Sequence, residues 1–224
     1  MPRLPRIISP NCLYHVICRG NNQQNIFLAE EDFLRYLWLL QKYKTEHPVH
    51  VYHYVLMTNH LHMLLEPSTS HNLSALMKKL DLTYTHYFQK KYGGIGHLWH
   101  GRFKSILVAK DSYCLTCAAY IELNPVAAGM VQKPEEYPWS SYRFYAFGEP
   151  NAIITKNPLY DGLGHDEKMK HNVFQKLVEQ SWVQKKFKEE EMDRMRYFGS
   201  GEFVQQMEKT TGLPNIPIRG RPKK

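Results

Sequence analysis

The chain has 224 residues, 43% of them apolar and 22% charged, with 29 Lys and Arg against 21 Asp and Glu. That length suits one large domain or one domain with an appendage, and the composition excludes a wholly disordered chain, a collagen and a disulfide-dense miniprotein. The net charge of +8 permits a polyanionic partner without requiring one, and 12 His and 15 Tyr are generous for the length.

In chain order, Met1–Arg6 carries charge with no apolar run behind it, so no export signal is expected. No later stretch approaches the ~18 apolar residues of a membrane span. Together with four Cys that read as reduced thiols, this points to a cytoplasmic protein. Leu13–Arg19 is β-branched and aromatic and ends at Gly20-Asn21-Asn22, a strand and then a turn. From Glu30 to Glu46, Phe33, Leu34, Leu37, Trp38, Leu40 and Tyr43 recur at helical spacing until His47-Pro48. Val49–Met57 and His60–Glu66, broken by Thr58-Asn59, read as an antiparallel hairpin. A helix capped by Asn72 or Ser74 runs to Tyr92 with Leu73, Leu76, Met77, Leu80, Tyr84 and Tyr87 on one face. A loop and a strand occupy Ile95–Lys110. Asp111 or Ser112 then caps a helix expected to stop at Asn124-Pro125, with a short helix following to Met130.

Strand, helix, hairpin, helix, strand, helix predicts an α+β fold, one antiparallel sheet with helices packed on it. After residue 150 the texture becomes helical and highly charged, with a run at Lys185–Arg194. The expected organisation is a main domain over 1–150, a helical extension over 151–218 and a basic tail over 219–224.

Two places carry chemistry. In His60-Leu61-His62, strand alternation puts both imidazoles on one face, about 7 Å apart along the strand, where they can converge on one divalent ion. In the helix from Asp111, Tyr113 and Tyr120 are seven apart on one face and Asn124 lies one turn beyond Tyr120. A phenol and an amide oxygen so spaced can face one ion or phosphate. A Tyr with an ordinary pKa near 10 needs a nearby cation or base to act as a nucleophile at neutral pH, and either Tyr qualifies on spacing. Cys114-Leu115-Thr116-Cys117 has the spacing of a zinc or redox pair, but at i, i+3 on a buried helix it reads as two small apolar thiols.

Taken together, Y-H-V-I-C-R-G-N-N, T-N-H-L-H-M-L-L-E-P, H-L-W-H-G-R-F-K-S, A-A-Y-I-E-L-N-P-V and Y-P-W-S-S-Y resemble the single-tyrosine HUH transposases, and within them the REP-associated tyrosine transposases of bacteria, over residues 10–148. The resemblance implies a ferredoxin-like antiparallel sheet with helices. It implies Mg or Mn held by His60 and His62, with Asn124 as third ligand in place of the Gln of related subgroups, and Tyr120 as the nucleophile. It implies nicking of single-stranded DNA beside a hairpin through a 5′-phosphotyrosine that leaves a 3′-OH, so cleavage and joining need no ATP. Asn124, completing the site at the right pitch, ranks Tyr120 above Tyr113.

DNA contacts are expected from Arg19, Asn21 and Asn22 at the first turn, and from the interleaved aromatic and basic residues His97, Trp99, Arg102 and Lys104. Arg219 and Arg221 stand in an R-G-R-P segment resembling an AT-hook core, suited to a narrow minor groove. The expected partner is a REP-like single-stranded hairpin, met by a monomer or homodimer at the bacterial nucleoid. The rival reading is a catalytically idle DNA- or RNA-hairpin binder on the same fold.

Overall fold

The fold is a computed structural model that describes residues 12–94, 96–183 and 194–216. Strand β1 (Leu13–Arg19) leads into helix α1 (Glu30–Glu46), the hairpin β2 (Val49–Leu56) and β3 (His60–Pro67), helix α2 (Asn72–Tyr92), strand β4 (Lys104–Val108) and helix α3 (Ser112–Ala127). Helices α4 (Tyr142–Phe147), α5 (Pro158–Asp161) and α6 (Glu167–Val183) follow, then strand β5 (Tyr197–Phe198) and helix α7 (Gly201–Thr211).

The sheet order is β2-β3-β1-β4-β5. The first four strands pair antiparallel, the ferredoxin-like arrangement expected, and β5 adds a parallel strand beside β4. The segment after residue 150 was expected to be helical; it supplies this strand as well. Tyr197 and Phe198 are apolar enough to bury fully, and Asn215 Oδ1 accepts from the backbone of Arg196 and Tyr197.

Alternation along the strands sorts the side chains onto two faces. Tyr14, Val16, Cys18, Leu61, Met63 and Leu65 pack against α1 and α2. Leu13, Ile17, Leu64, Ile106 and Val108 pack against Cys114, Cys117 and Ile121 of α3. Each fully buried Leu, Ile or Phe contributes about 1.5–3 kcal/mol, so both helical layers are held mainly by this apolar contact. The far side of α3 carries Ala119 and Leu123 into a third cluster with Tyr145, Tyr160, Phe174 and Val178, so residues beyond 150 brace the helix from behind.

Three local expectations need correction. Helix α1 buries Phe33, Tyr36, Leu39, Leu40 and Tyr43, and leaves Leu34 and Trp38 about half exposed. The apolar residues of the helix outnumber those its buried face can take, and the Trp38 ring meets the Arg35 guanidinium at 4.6 Å. Neither Asn72 nor Ser74 caps α2; its N-cap is His71, and Asn72 Nδ2 donates to Pro48 O at 3.0 Å. Helix α3 does not stop at Asn124-Pro125 but continues to Ala127. Pro125 cannot donate a backbone N–H, a defect that ordinarily costs ~3 kcal/mol inside a helix. Here Asn124 Nδ2 donates back to Tyr120 O at 2.8 Å and leans on Ile121 O at 3.5 Å, partly filling the gap in the ladder.

Candidate active site

His60 and His62 leave β3 on the side that faces α3, and Arg19 is the cross-strand partner of His60. Helix α3 lies over this part of the sheet and brings Tyr120 down to it. The Tyr120 ring meets His62 edge-on at 5.6 Å between centroids, and His60 and His62 are 5.0 Å apart. Tyr113, the rival nucleophile, sits two turns earlier with its ring edge-on to Phe198 at 5.2 Å. The sequence spacing placed both phenols on one face; only Tyr120 meets an imidazole of the pair.

A third imidazole, His15 on β1, completes the cluster. It stacks on His62 at 5.0 Å and meets Tyr120 at 5.7 Å. Sequence reasoning missed it. Its signal was parity, since Leu13, His15, Ile17 and Arg19 share a strand face, but the register that sets His15 beside β3 is a long-range fact.

Burial dominates the electrostatics. It pushes His15 down to about 3, helped by the Lys104 charge. It pushes His60 down to about 4, helped by Arg19 and opposed by Asn124. His62 is held well below its ordinary range by burial, then by His15, His60 and Arg19. All three rings are therefore neutral at pH 7, the form in which imidazole binds a metal.

The donor set fits a divalent ion. Nε2 of His62 is buried without a hydrogen-bond partner among the described residues, and Nε2 of His60 meets none at full hydrogen-bond geometry. His60 Nδ1 faces Asn59 Oδ1 at 2.6 Å; that oxygen only accepts, so the ring proton sits on Nδ1 and Nε2 keeps its lone pair. Asn124 spends its amide hydrogens on the helix, and its oxygen is the part left to act on His60. No group of three or more His, Cys, Asp or Glu among the described residues is arranged to hold a metal ion, so a site here would consist of two imidazoles and an amide.

The expected DNA contacts fall into three groups. Arg19 and Lys104 lie on the imidazole face of the sheet, and both also line a small cleft with Trp99 and Arg102. Asn21, His97, Trp99 and Arg102 line an adjoining groove of about 900 Å³ with Lys78, Asp81 and His100. The groove is built by stitching the 96–103 loop to the first turn, with Asn21 N donating to Leu98 O and His100 N to Arg19 O, both at 2.8 Å. Gly20 is required there, because a Cβ would collide with the Gln24 carbonyl. Asn22 is exposed in the same turn at φ 50°, outside the groove lining.

Trp99 lines both cavities and is anchored by its neighbours. It is half-buried between Tyr36 and Tyr84, and its indole donates to Thr85 Oγ1 at 3.0 Å. Cys114 and Cys117 are buried apolar thiols, as their helical spacing suggested. Arg219 and Arg221 lie outside the described residues, as does the charge run apart from Arg194.

The sequence matches the IS200-like transposases over residues 8–124, just over half of the chain. The chain belongs to this family. It is thus a DNA transposase, and its class cleaves and transfers DNA. A solved REP-associated tyrosine transposase bound to a REP hairpin has the same fold, at TM-score 0.56 and 19% identity, covering 69% of this chain and 92% of that one. A putative transposase from Deinococcus radiodurans aligns more loosely, at TM-score 0.37 and 16% identity over 60% of this chain and 97% of that one. No curated relative matches the chain. Among the described residues, no helix of this transposase is long and apolar enough to cross a membrane.

Proposed function

We propose that this transposase cleaves and rejoins single-stranded DNA at REP-like palindromic hairpins in the bacterial cytoplasm, using a divalent metal and a 5′-phosphotyrosine at Tyr120. One observation carries the reading: the His60 and His62 pair and the Tyr120 ring meet on one sheet face under α3. In this reading Tyr120 Oη attacks the scissile phosphorus. The Tyr O–P bond forms, the bond to the 3′ oxygen breaks, and the phenol proton ends on that leaving oxygen. Because one ester replaces another, the 3′-OH can reverse the step without an energy source.

His60, His62 and Asn124 would hold Mg or Mn, which when bound supplies charge to the phosphate and leaving oxygen. Arg19 and Lys104 border the same face and draw the phosphate towards it. The adjoining groove, with His97, Arg102 and Asn21, holds the strand that flanks the cut. Residues 1–150 carry the catalysis as one domain, the described part of the 151–218 extension braces it, and Arg219 and Arg221 add attraction for the duplex stem.

The test is incubation with a labelled single-stranded hairpin plus Mn²⁺ or Mg²⁺. A denaturant-resistant adduct that needs the metal and Tyr120 supports the reading. Tight hairpin binding with no adduct at any metal concentration makes the protein an idle binder.

A further inference from the structure

His15 plays no part in the reading above, yet it makes the polar contact that holds the imidazole pair from behind. It is fully buried on β1, and its Nε2 stands 2.8 Å from Nδ1 of His62. The register pairs His15 with Leu64 and Ile17 with His62, so the contact is a diagonal one across the two strands.

One proton occupies that contact, and it has two homes. If it sits on His15 Nε2, then His62 Nδ1 accepts, and a neutral His62 keeps its own proton on Nε2, where no lone pair remains for an ion. If it sits on His62 Nδ1, then His62 Nε2 presents its lone pair and His15 carries its proton on Nδ1. Each arrangement leaves one buried N–H unpartnered among the described residues, at His62 Nε2 in the first and at His15 Nδ1 in the second. The protein alone therefore sets little preference between them, and an ion beside His62 selects the second. His60 has no such choice, since Asn59 Oδ1 fixes its proton on Nδ1.

We propose that His15 is a positioning residue for metal binding: its Nε2 accepts the His62 Nδ1 proton and so aims the His62 Nε2 lone pair at a divalent ion shared with His60. This rests on the reading of His60 and His62 as ligands. Ligand histidines commonly pass their second N–H to a carboxylate or carbonyl. Here a neutral imidazole takes that place, which keeps a fully buried pair uncharged.

The test uses the full chain with Mn²⁺ affinity measured by calorimetry in the absence of DNA. His15→Leu has similar bulk and no acceptor; it is expected to weaken Mn²⁺ binding by roughly 10- to 100-fold. His15→Gln returns an acceptor oxygen and is expected to stay within about threefold of the parent. His62→Ala is expected to lose the site. The parent protein, loaded with Mg²⁺, needs no variant to fold: long-range ¹H–¹⁵N spectra are expected to place the protons of both His62 and His15 on Nδ1. A His15 proton on Nε2 in that state overturns the proposal, as does a His15→Gln variant as weak as His15→Leu. Parent-like affinity in His15→Leu with affinity lost in His62→Ala overturns it while keeping the ligands. Normal affinity in His62→Ala overturns both.

Discussion

Asn124 donates its side-chain amide to the Tyr120 carbonyl at 2.8 Å, one helical turn back along α3. The bond does two things. It brings the same amide within 3.5 Å of Ile121 O, the carbonyl that Pro125 has no N–H to serve, and it turns the amide oxygen of Asn124 towards His60. The residue is thus both a helix patch and the third member of the proposed ion site.

These two roles separate on substitution. Asn124→Asp keeps an oxygen for the ion and loses the amide donor. It should cost about 1–3 kcal/mol in urea unfolding while Mn²⁺ still binds. Asn124→Ala should lose the same stability and weaken Mn²⁺ as well. Equal Mn²⁺ affinity in the parent and the Ala variant would remove Asn124 from the ion site.

The two phenols on α3 give a second test. Tyr120→Phe removes only the hydroxyl of a half-buried ring, so folding and hairpin binding should persist and the covalent adduct should fall to background. Tyr113→Phe should leave adduct yield within about twofold, because its ring packs on Phe198 away from the imidazoles. An adduct that survives in the first variant and vanishes in the second would reverse the assignment.

Much of this site was legible because it is local. His60 and His62 share a strand face through a two-residue repeat, and Tyr120 and Asn124 share a helix face through a four-residue one. The first seven elements were legible for the same reason, their periodicities being strong, whereas the cap of α2 and the end of α3 were not. What stayed hidden depends on register between distant segments. His15 reaches His62 only through the β1–β3 pairing, and Lys104 reaches His15 only through β4. The anchoring of Trp99 beside Tyr36 and Tyr84, on two other elements, is likewise set by long-range contacts. The stop at Asn124-Pro125 failed because a side-chain donor compensates for the proline, which backbone rules alone do not anticipate.

The buried imidazoles give the fold an acid-side weakness. His15 and His60 titrate at about 3 and about 4 in the native state, and His62 also lies well below its ordinary range. In the unfolded chain each returns to about 6.5. The native state therefore binds fewer protons, and stability is full above pH 6.5 and lost as pH falls from 6.5 towards 4. Each extra proton taken up on unfolding is worth about 1.4 kcal/mol per pH unit. The paired carboxylates Asp32 and Glu66 act in the same direction, but only below their ordinary range near 4. Between pH 6.5 and 5 the loss of stability on acidification should come from the histidines, with buried Glu122, whose pKa is raised, working against it. Urea midpoints across that window should drop in the parent and drop less steeply in His15→Leu, which leaves His60 and His62 to titrate. A parent curve level from pH 7 to 5 would mean that these rings are not held neutral. Bound Mn²⁺ should move the loss to lower pH, since the ion competes with the protons.

The last prediction concerns what holds α3 at its angle. Glu122 is wholly buried two residues after Tyr120, with Oε1 3.0 Å from His53 Nδ1 of β2 and also accepting from Ser141 Oγ. Burial raises its pKa, and the bonds to His53 and Ser141 work against that rise. Asn157, at the N-cap of α5, extends the network with Nδ2 3.3 Å from His53 Nε2. These contacts tie the back of α3 to the sheet and to the segment beyond residue 150. Glu122→Ala should cost about 1–3 kcal/mol, because it leaves the buried His53 and Ser141 without their shared acceptor. Glu122→Gln, which keeps an oxygen for His53 and Ser141, should recover most of that stability. If α3 is angled by this network, the residual folded Glu122→Ala protein should bind hairpin normally yet form adduct more slowly, through a displaced Tyr120. Adduct formation at the parent rate in that folded fraction would show that the apolar packing of α3 alone sets the position of the phenol.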